Sequence, residues 1–147
     1  FLQDRWTGAG VRTPRWRGPT LLNELKAAGA KVAIASDNTR DPFYAYGDLD
    51  GLEVLREGAR ILHFDYPQDR AFAWVRAIGA DASQLTAMRY NATIAPGNDA
   101  DLVLVKARNW TELMARPQAD RIVLRAGKSI DRTLPDYREL DDLMGGD

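Results

Sequence analysis

Apolar residues recur along this chain in two rhythms, and the rhythm changes at about residue 90. Leu21, Leu22, Leu25 and Ala28 follow helical spacing behind Pro19, a residue suited to the first position of a helix, and Gly29 ends the run as a C-terminal cap. Val32-Ala33-Ile34-Ala35 is a short continuous apolar run, which predicts a strand buried on both faces. Leu52, Leu55, Ala59 and Leu62 recur at intervals of three and four, so residues 48–63 read as a helix. Val54 and Ile61 make that helix apolar on more than one side, which calls for several neighbours. A second helix is expected over 68–78 from Ala71, Phe72, Val75 and Ile78, and a short third one near Ser83.

Beyond residue 90 the pattern turns to short strands and turn residues. Pro96-Gly97-Asn98-Asp99 is a turn cluster, Leu102–Val105 a strand, Trp110–Met114 a helical turn and Arg121–Arg125 another strand. Ala126-Gly127 then leads into Lys128-Ser129-Ile130 as a hairpin, and the acidic tail from Asp136 is expected to be helical. Helix, glycine turn and buried strand in succession are a unit of parallel α/β architecture, whereas the second half is β-rich.

Composition narrows the function more than the fold. The chain has 147 residues, 45% apolar and 28% charged, as a folded domain has. Twenty Lys and Arg stand against 21 Asp and Glu, which gives no electrostatic case for nucleic acid or an anionic membrane as partner. The Arg5, Arg12, Arg15 and Arg17 loop, with Trp6 and Trp16 interleaved, is too short to change that balance. There is no cysteine, so disulfides, thiolate nucleophiles and Cys-based zinc sites are excluded. A catalytic zinc site takes about three protein ligands, and His63 is the one histidine; flanked by Leu62 and Phe64 at a helix end, it reads as a packing or capping residue. If the chain contributes to a metal site, most of that site is encoded elsewhere, and the chain is expected to be a piece of something larger.

Chemistry concentrates in the segment Ser36-Asp37-Asn38-Thr39-Arg40-Asp41-Pro42-Phe43-Tyr44. In barrels of alternating strand and helix, reactive residues sit at the C-terminal ends of strands. Asp37 holds that position after Val32–Ser36, where a carboxylate can ligate a divalent ion or take a proton from water. The other reading makes Asp37 the former of an Asx turn that ends the strand. Spacing alone leaves the two level. Asn38, Asp41 and Phe43 share the loop, Pro42 stiffens it, and Phe43, Tyr44 and Tyr46 either wall a pocket for a flat ring or pack the loop down.

The same residues resemble a known family. Ala35-Ser36-Asp37-Asn38-Thr39-Arg40-Asp41-Pro42-Phe43-Tyr44 looks like the segment after the eighth strand of cytosine deaminase and its close relatives in the amidohydrolase superfamily. Leu2-Gln3-Asp4-Arg5, with Thr13-Pro14-Arg15-Trp16-Arg17-Gly18 after it, resembles the loop behind the seventh strand there. Ile94-Ala95-Pro96-Gly97-Asn98-Asp99-Ala100-Asp101-Leu102-Val103 is similar to the I-x-x-G-x-x-A-D-L-V stretch shared across the superfamily.

The resemblance implies the C-terminal portion of a (β/α)8 TIM-like barrel over residues 1–90, a small β-sandwich segment over 91–131 and a tail over 132–147. It implies hydrolytic deamination of a pyrimidine-like nitrogen heterocycle by water activated on one divalent metal ion, zinc or iron. Asp37 then falls on the metal ligand and proton shuttle, with Asn38 and Phe43 beside the substrate. Where cytosine deaminase has Asp and Trp at the latter two positions, this chain has Asn38 and Phe43, which points away from cytosine itself. The resemblance also implies a cytoplasmic homo-oligomer when complete. The family's HxH pair, its histidines of strands five and six and its strand-five Glu are not in this chain, so the chain alone is expected to be inactive and to retain no metal. A relative acting on another ring such as a triazine, and a non-catalytic module retaining the fold, are the alternatives.

Overall fold

The computed structural model describes residues 20–66, 71–134 and 136–145. The elements in order are helices α1 (Leu22–Ala27) and α2 (Gly51–Leu62), a 3-10 helix (Ala71–Ile78) and α3 (Ala80–Leu85). Strand β1 (Leu102–Val105), helix α4 (Trp110–Ala115) and strands β2 (Arg121–Arg125) and β3 (Lys128–Ser129) follow. A 3-10 turn (Tyr137–Leu140) and α5 (Asp141–Met144) form the tail.

Helix α2 organises the first half. Asp50 caps its N-terminus by accepting the Leu52 amide, and His63 ends it in the left-handed conformation at φ 56°. His63 is thus a capping residue. Leu55 is fully buried and meets Val32, Phe64, Trp74 and Ala77, with Leu22, Ile34, Ala59 and Leu62 packed around them. Phe64 and Trp74 stack with ring centroids 3.9 Å apart and planes 10° from parallel. Lys26 of α1 lies 3.9 Å from the Trp74 centroid and donates to the Ala73 carbonyl, a cation–π contact that ties α1 to the 3-10 helix.

Three expectations are corrected. The segment 68–78 was expected to turn Ala71, Phe72, Val75 and Ile78 inward at α-helical spacing; residues 71–78 instead form a 3-10 helix. Its three residues per turn bring Trp74 and Ala77 to one face, buried in the core. Phe72 and Val75 are exposed. The stripe on α1 buries little, because Leu21 and Leu25 stay exposed and Leu22 alone of the set packs on the core. Finally, Val32–Ala35 is not covered on both faces. Val32 is buried and Ile34 half-buried, while Ala33 and Ala35 are exposed. Among the described residues no strand pairs with this segment; its Ile34 amide donates to the Ala77 carbonyl instead. Covering the second face needs a neighbour that the described residues do not provide.

The second half forms a three-stranded antiparallel sheet of order β1-β2-β3, with Leu102 opposite Leu124 and Arg125 opposite Lys128. Ala126 and Gly127 make the hairpin turn with φ 48° and 77°, the pair of positive values that a type I′ turn requires. The Asp101 carboxylate accepts the Ala126 amide and the Ala100 carbonyl accepts that of Gly127, so the A-D-L-V stretch holds the hairpin from the strand beside it. A second sheet layer, which a sandwich needs, is not among the described residues. The halves are joined: Trp110 and Met114 of α4 pack on the first-half core, and Arg121 of β2 grips Asp50 through both guanidinium nitrogens at 3.0 and 2.5 Å.

Candidate functional site

The site loop begins where the Val32–Ser36 segment ends. Alternation along that segment places Val32, Ile34 and Ser36 against the protein and leaves Ala33, Ala35 and Asp37 exposed. Ile34 reaches α2, where a Cβ added to Gly58 would lie 3.3 Å from its Cδ1. Asp37 therefore follows two alanines on the opposite, uncovered face. Its φ of 60° is left-handed, a conformation Asp tolerates better than most residues, and Arg40 follows in the same region at 48°. Among the described residues the Asp37 side chain makes no hydrogen bond; its carbonyl accepts from the Thr39 hydroxyl at 3.5 Å.

The turn is built by Asp41. One carboxylate oxygen, Oδ1, accepts the amides of Phe43 and Tyr44, both at 2.9 Å. The other, Oδ2, accepts the Asn38 side-chain amide at 2.8 Å. Surrounded by donors, with Asn38 the strongest influence, this carboxyl is held below its ordinary range and stays ionised. The amides of Arg40 and Asp41 donate to the carbonyls of Tyr46 and Tyr44, the Arg40 guanidinium meets Asp48 at 3.0 Å, and Tyr44 packs edge-on against Tyr46. Local hydrogen bonding of Asp41 to residues two and three ahead is the signature of an Asx motif, so the sequence carried this signal in Asp41-Pro42-Phe43-Tyr44. The Asx role considered for Asp37 belongs to Asp41.

Asn38 lines a cleft of about 580 Å³ between this loop and α2, bounded by Ile34, Tyr44, Glu53, Gly58 and Ile61. Among the described residues, the cleft that Asn38 lines is not one that Asp37 and Phe43 also line, and Phe43 is 67% exposed. Nor do the described residues contain any group of three His, Cys, Asp or Glu side chains able to hold a metal ion. No helix among them is long and apolar enough to cross a membrane.

The amidohydrolase family matches residues 1–131. A pterin deaminase of Rhizobium rhizogenes is 58% identical over 145 residues, which is 99% of this chain and 32% of that protein. The chain thus spans about a third of this relative's length. Among solved structures, the 5-methylcytosine deaminase of Klebsiella pneumoniae liganded with 5-fluorocytosine matches 78% of this chain and 28% of its own. That match has 25% identity and a TM-score of 0.58. The same enzyme liganded with phosphonocytosine gives 26% identity and a TM-score of 0.59. Over most of its length the chain is accordingly similar in fold to a part of that enzyme, and the match over residues 1–131 makes the assignment: the chain belongs to the amidohydrolase family.

Proposed function

We infer that this chain is the part of an amidohydrolase-family deaminase that carries Asp37, and that the complete enzyme hydrolyses the amino group of a pterin. The observation that carries the reading is the 58% identity to a pterin deaminase over 99% of the chain. A pterin is a 2-aminopyrimidinone fused to a second ring, so it falls within the pyrimidine-like class that the loop sequence suggests. Water adds to the ring carbon bearing the amino group, the C–N bond breaks, and ammonia leaves as the carbon becomes a carbonyl. Two protons must move, off the attacking water and onto the departing nitrogen. The Asp37 carboxylate is the group proposed to move them, as general base and then general acid.

Geometry supports that role for Asp37. In a (β/α)8 barrel, alternate strand residues face inward and outward. Ile34 takes the outward direction onto α2, which leaves Ala33, Ala35 and Asp37 for the inward set, with Asp37 directly after the extended Val32–Ser36 segment. Asn38 and Phe43 are proposed to contact the ring from the loop. The amidohydrolase family is generally metal-dependent. The described residues do not by themselves fit a zinc or iron site, since Asp37 offers one carboxylate and no group of three ligands forms.

The test is ammonia release by the longer polypeptide containing this chain, offered pterin, cytosine and an aminotriazine. Release from pterin, lost in Asp37→Asn, is expected; the 147-residue chain alone is expected to be inactive. Release from cytosine or the triazine but not from pterin would overturn the substrate. Release from none would favour a non-catalytic module.

A further inference from the structure

We propose that the Asp41 carboxylate is the positioning group that holds Asp37 in its left-handed conformation and thereby sets where the Asp37 carboxylate points. The inference rests on the reading above, in which Asp37 moves the protons.

The Asp37 side chain makes no hydrogen bond among the described residues, so its direction is inherited from the backbone. That backbone is unusual. Asp37 has a φ of 60° and Arg40 one of 48°, two residues with a Cβ in the left-handed region of one short loop. Such conformations are strained, and they persist only where the surroundings impose them.

The restraint nearest Asp37 is the Asp41 carboxylate, which ties the two limbs of the loop together. On the upstream limb its Oδ2 accepts from Asn38 Nδ2 at 2.8 Å, and Asn38 is the residue bonded directly to Asp37. On the downstream limb its Oδ1 accepts the Phe43 and Tyr44 amides, both at 2.9 Å, across Pro42 with its ring-fixed φ. Arg40 is fastened separately, by its amide on the Tyr46 carbonyl and its guanidinium on Asp48. Those contacts account for the turn at Arg40 and leave the peptide after Asp37 to the Asn38–Asp41 bond. Because φ is the rotation about N–Cα, and the extended Val32–Ser36 segment carries the chain up to that nitrogen, a change of φ swings the Asp37 Cβ. Without Asp41 the residue can relax to an ordinary negative φ, and its carboxylate leaves the face it shares with Ala33 and Ala35.

Two comparisons in the longer polypeptide test this. The first reads the backbone and needs no activity. A left-handed position favours Gly over Ala, since Gly lacks the Cβ that strains it. Asp37→Gly should therefore show a higher urea midpoint than Asp37→Ala, and the difference should vanish or reverse when Asp41→Ala is added to both. A Gly advantage that survives Asp41→Ala, or that is absent from the start, overturns the proposal.

The second comparison reads pterin deamination. Misplacing a reacting group by about 1 Å costs on the order of 100-fold, so Asp41→Ala should lower kcat by about that much. KM should change little, because Asp37 moves protons and does not hold the ring. Asp41→Asn, which keeps an oxygen for the Phe43 and Tyr44 amides, should retain more kcat than Asp41→Ala. Adding Asp41→Ala to Asp37→Asn should lose little beyond Asp37→Asn alone, because both changes act on one group. Multiplying losses, or an Asp41→Ala enzyme with normal kcat, overturn the proposal. A polypeptide that leaves pterin untouched while its Gly advantage depends on Asp41 rejects the pterin reading instead, and the Asp41 restraint on Asp37 stands.

Discussion

Replacing Asp50 tests the join between the two halves of the chain. Its carboxylate caps α2 through the Leu52 amide at 3.0 Å and takes both Arg121 nitrogens, with the two side chains 22% and 18% exposed. Losing an N-cap costs about 1 kcal/mol. An ion pair fully exposed to water contributes about 0–1 kcal/mol, and breaking a fully buried one costs about 3–5. A bidentate pair mostly shielded from water belongs between, at about 1–2 kcal/mol. Asp50→Ala should therefore destabilise by about 2–3 kcal/mol, while Asp50→Ser, which keeps a capping oxygen, should lose only the ion-pair share of about 1–2 kcal/mol. Urea unfolding followed by tryptophan fluorescence reads this, since Trp74 and Trp110 both sit in or against the core. Arg121 chiefly, with the Leu52 amide, holds the Asp50 carboxyl below its ordinary range. Its stabilisation is thus fully present above the unfolded-chain pKa of about 3.9 and disappears as pH falls through the lowered folded value. The gap between wild type and Asp50→Ser should be wide at neutral pH and close in acid. In a double-mutant cycle with Arg121→Ala the coupling should be about 1 kcal/mol or more. A coupling near zero, or a gap indifferent to acid, would show that the pair does not fasten the sheet to the helix.

Other variants probe single contacts. Gly58→Ala places a Cβ 2.9 Å from Phe64 Cε2, and Phe64 is clamped on Trp74, so overpacking of about 1–3 kcal/mol should outweigh the helix-propensity gain of about 1 kcal/mol. A raised urea midpoint would mean that Phe64 gives way. Ala126 adopts φ 48° at the first turn position, where Asn is preferred, so Ala126→Asn should stabilise by about 0.5–1 kcal/mol in the same assay; a loss would rule out the type I′ turn. In the longer polypeptide, Asp37→Asn keeps a residue that accepts a left-handed φ but removes the base, and ammonia release should fall at least about 100-fold with Tm unchanged. Near-normal release would remove Asp37 from the chemistry. Asn38→Ala should change the kcat/KM ratio between ring substrates more than it changes bound metal, and an unchanged ratio would place Asn38 away from the ring.

How much of this was legible depended on how far each interaction reaches along the chain. The sheet was: Leu102–Val105 and Arg121–Arg125 are short β-branched or leucine-rich runs, and Ala126-Gly127 marks the hairpin within a few residues of the strands it joins. Helix α2 was legible for the same reason, since its apolar spacing and its cap lie inside one segment. The Asp41 turn could have been read from residues two and three ahead. The 3-10 register was not legible, because Phe72 and Trp74 are equally apolar and the choice between them was made by Phe64, brought in from the end of α2. One-sided burial at Val32–Ala35 was likewise a matter of which surfaces arrive: Ile34 found α2, while nothing among the described residues covers Ala33 and Ala35. Asp50 and Arg121 stand 71 residues apart, and a carboxylate and a guanidinium at that separation carry no mark of each other until the chain folds. Periodicity and turn chemistry are local properties that a sequence states outright; burial and charge pairing are properties of contact, and only the packed tertiary structure assigns them.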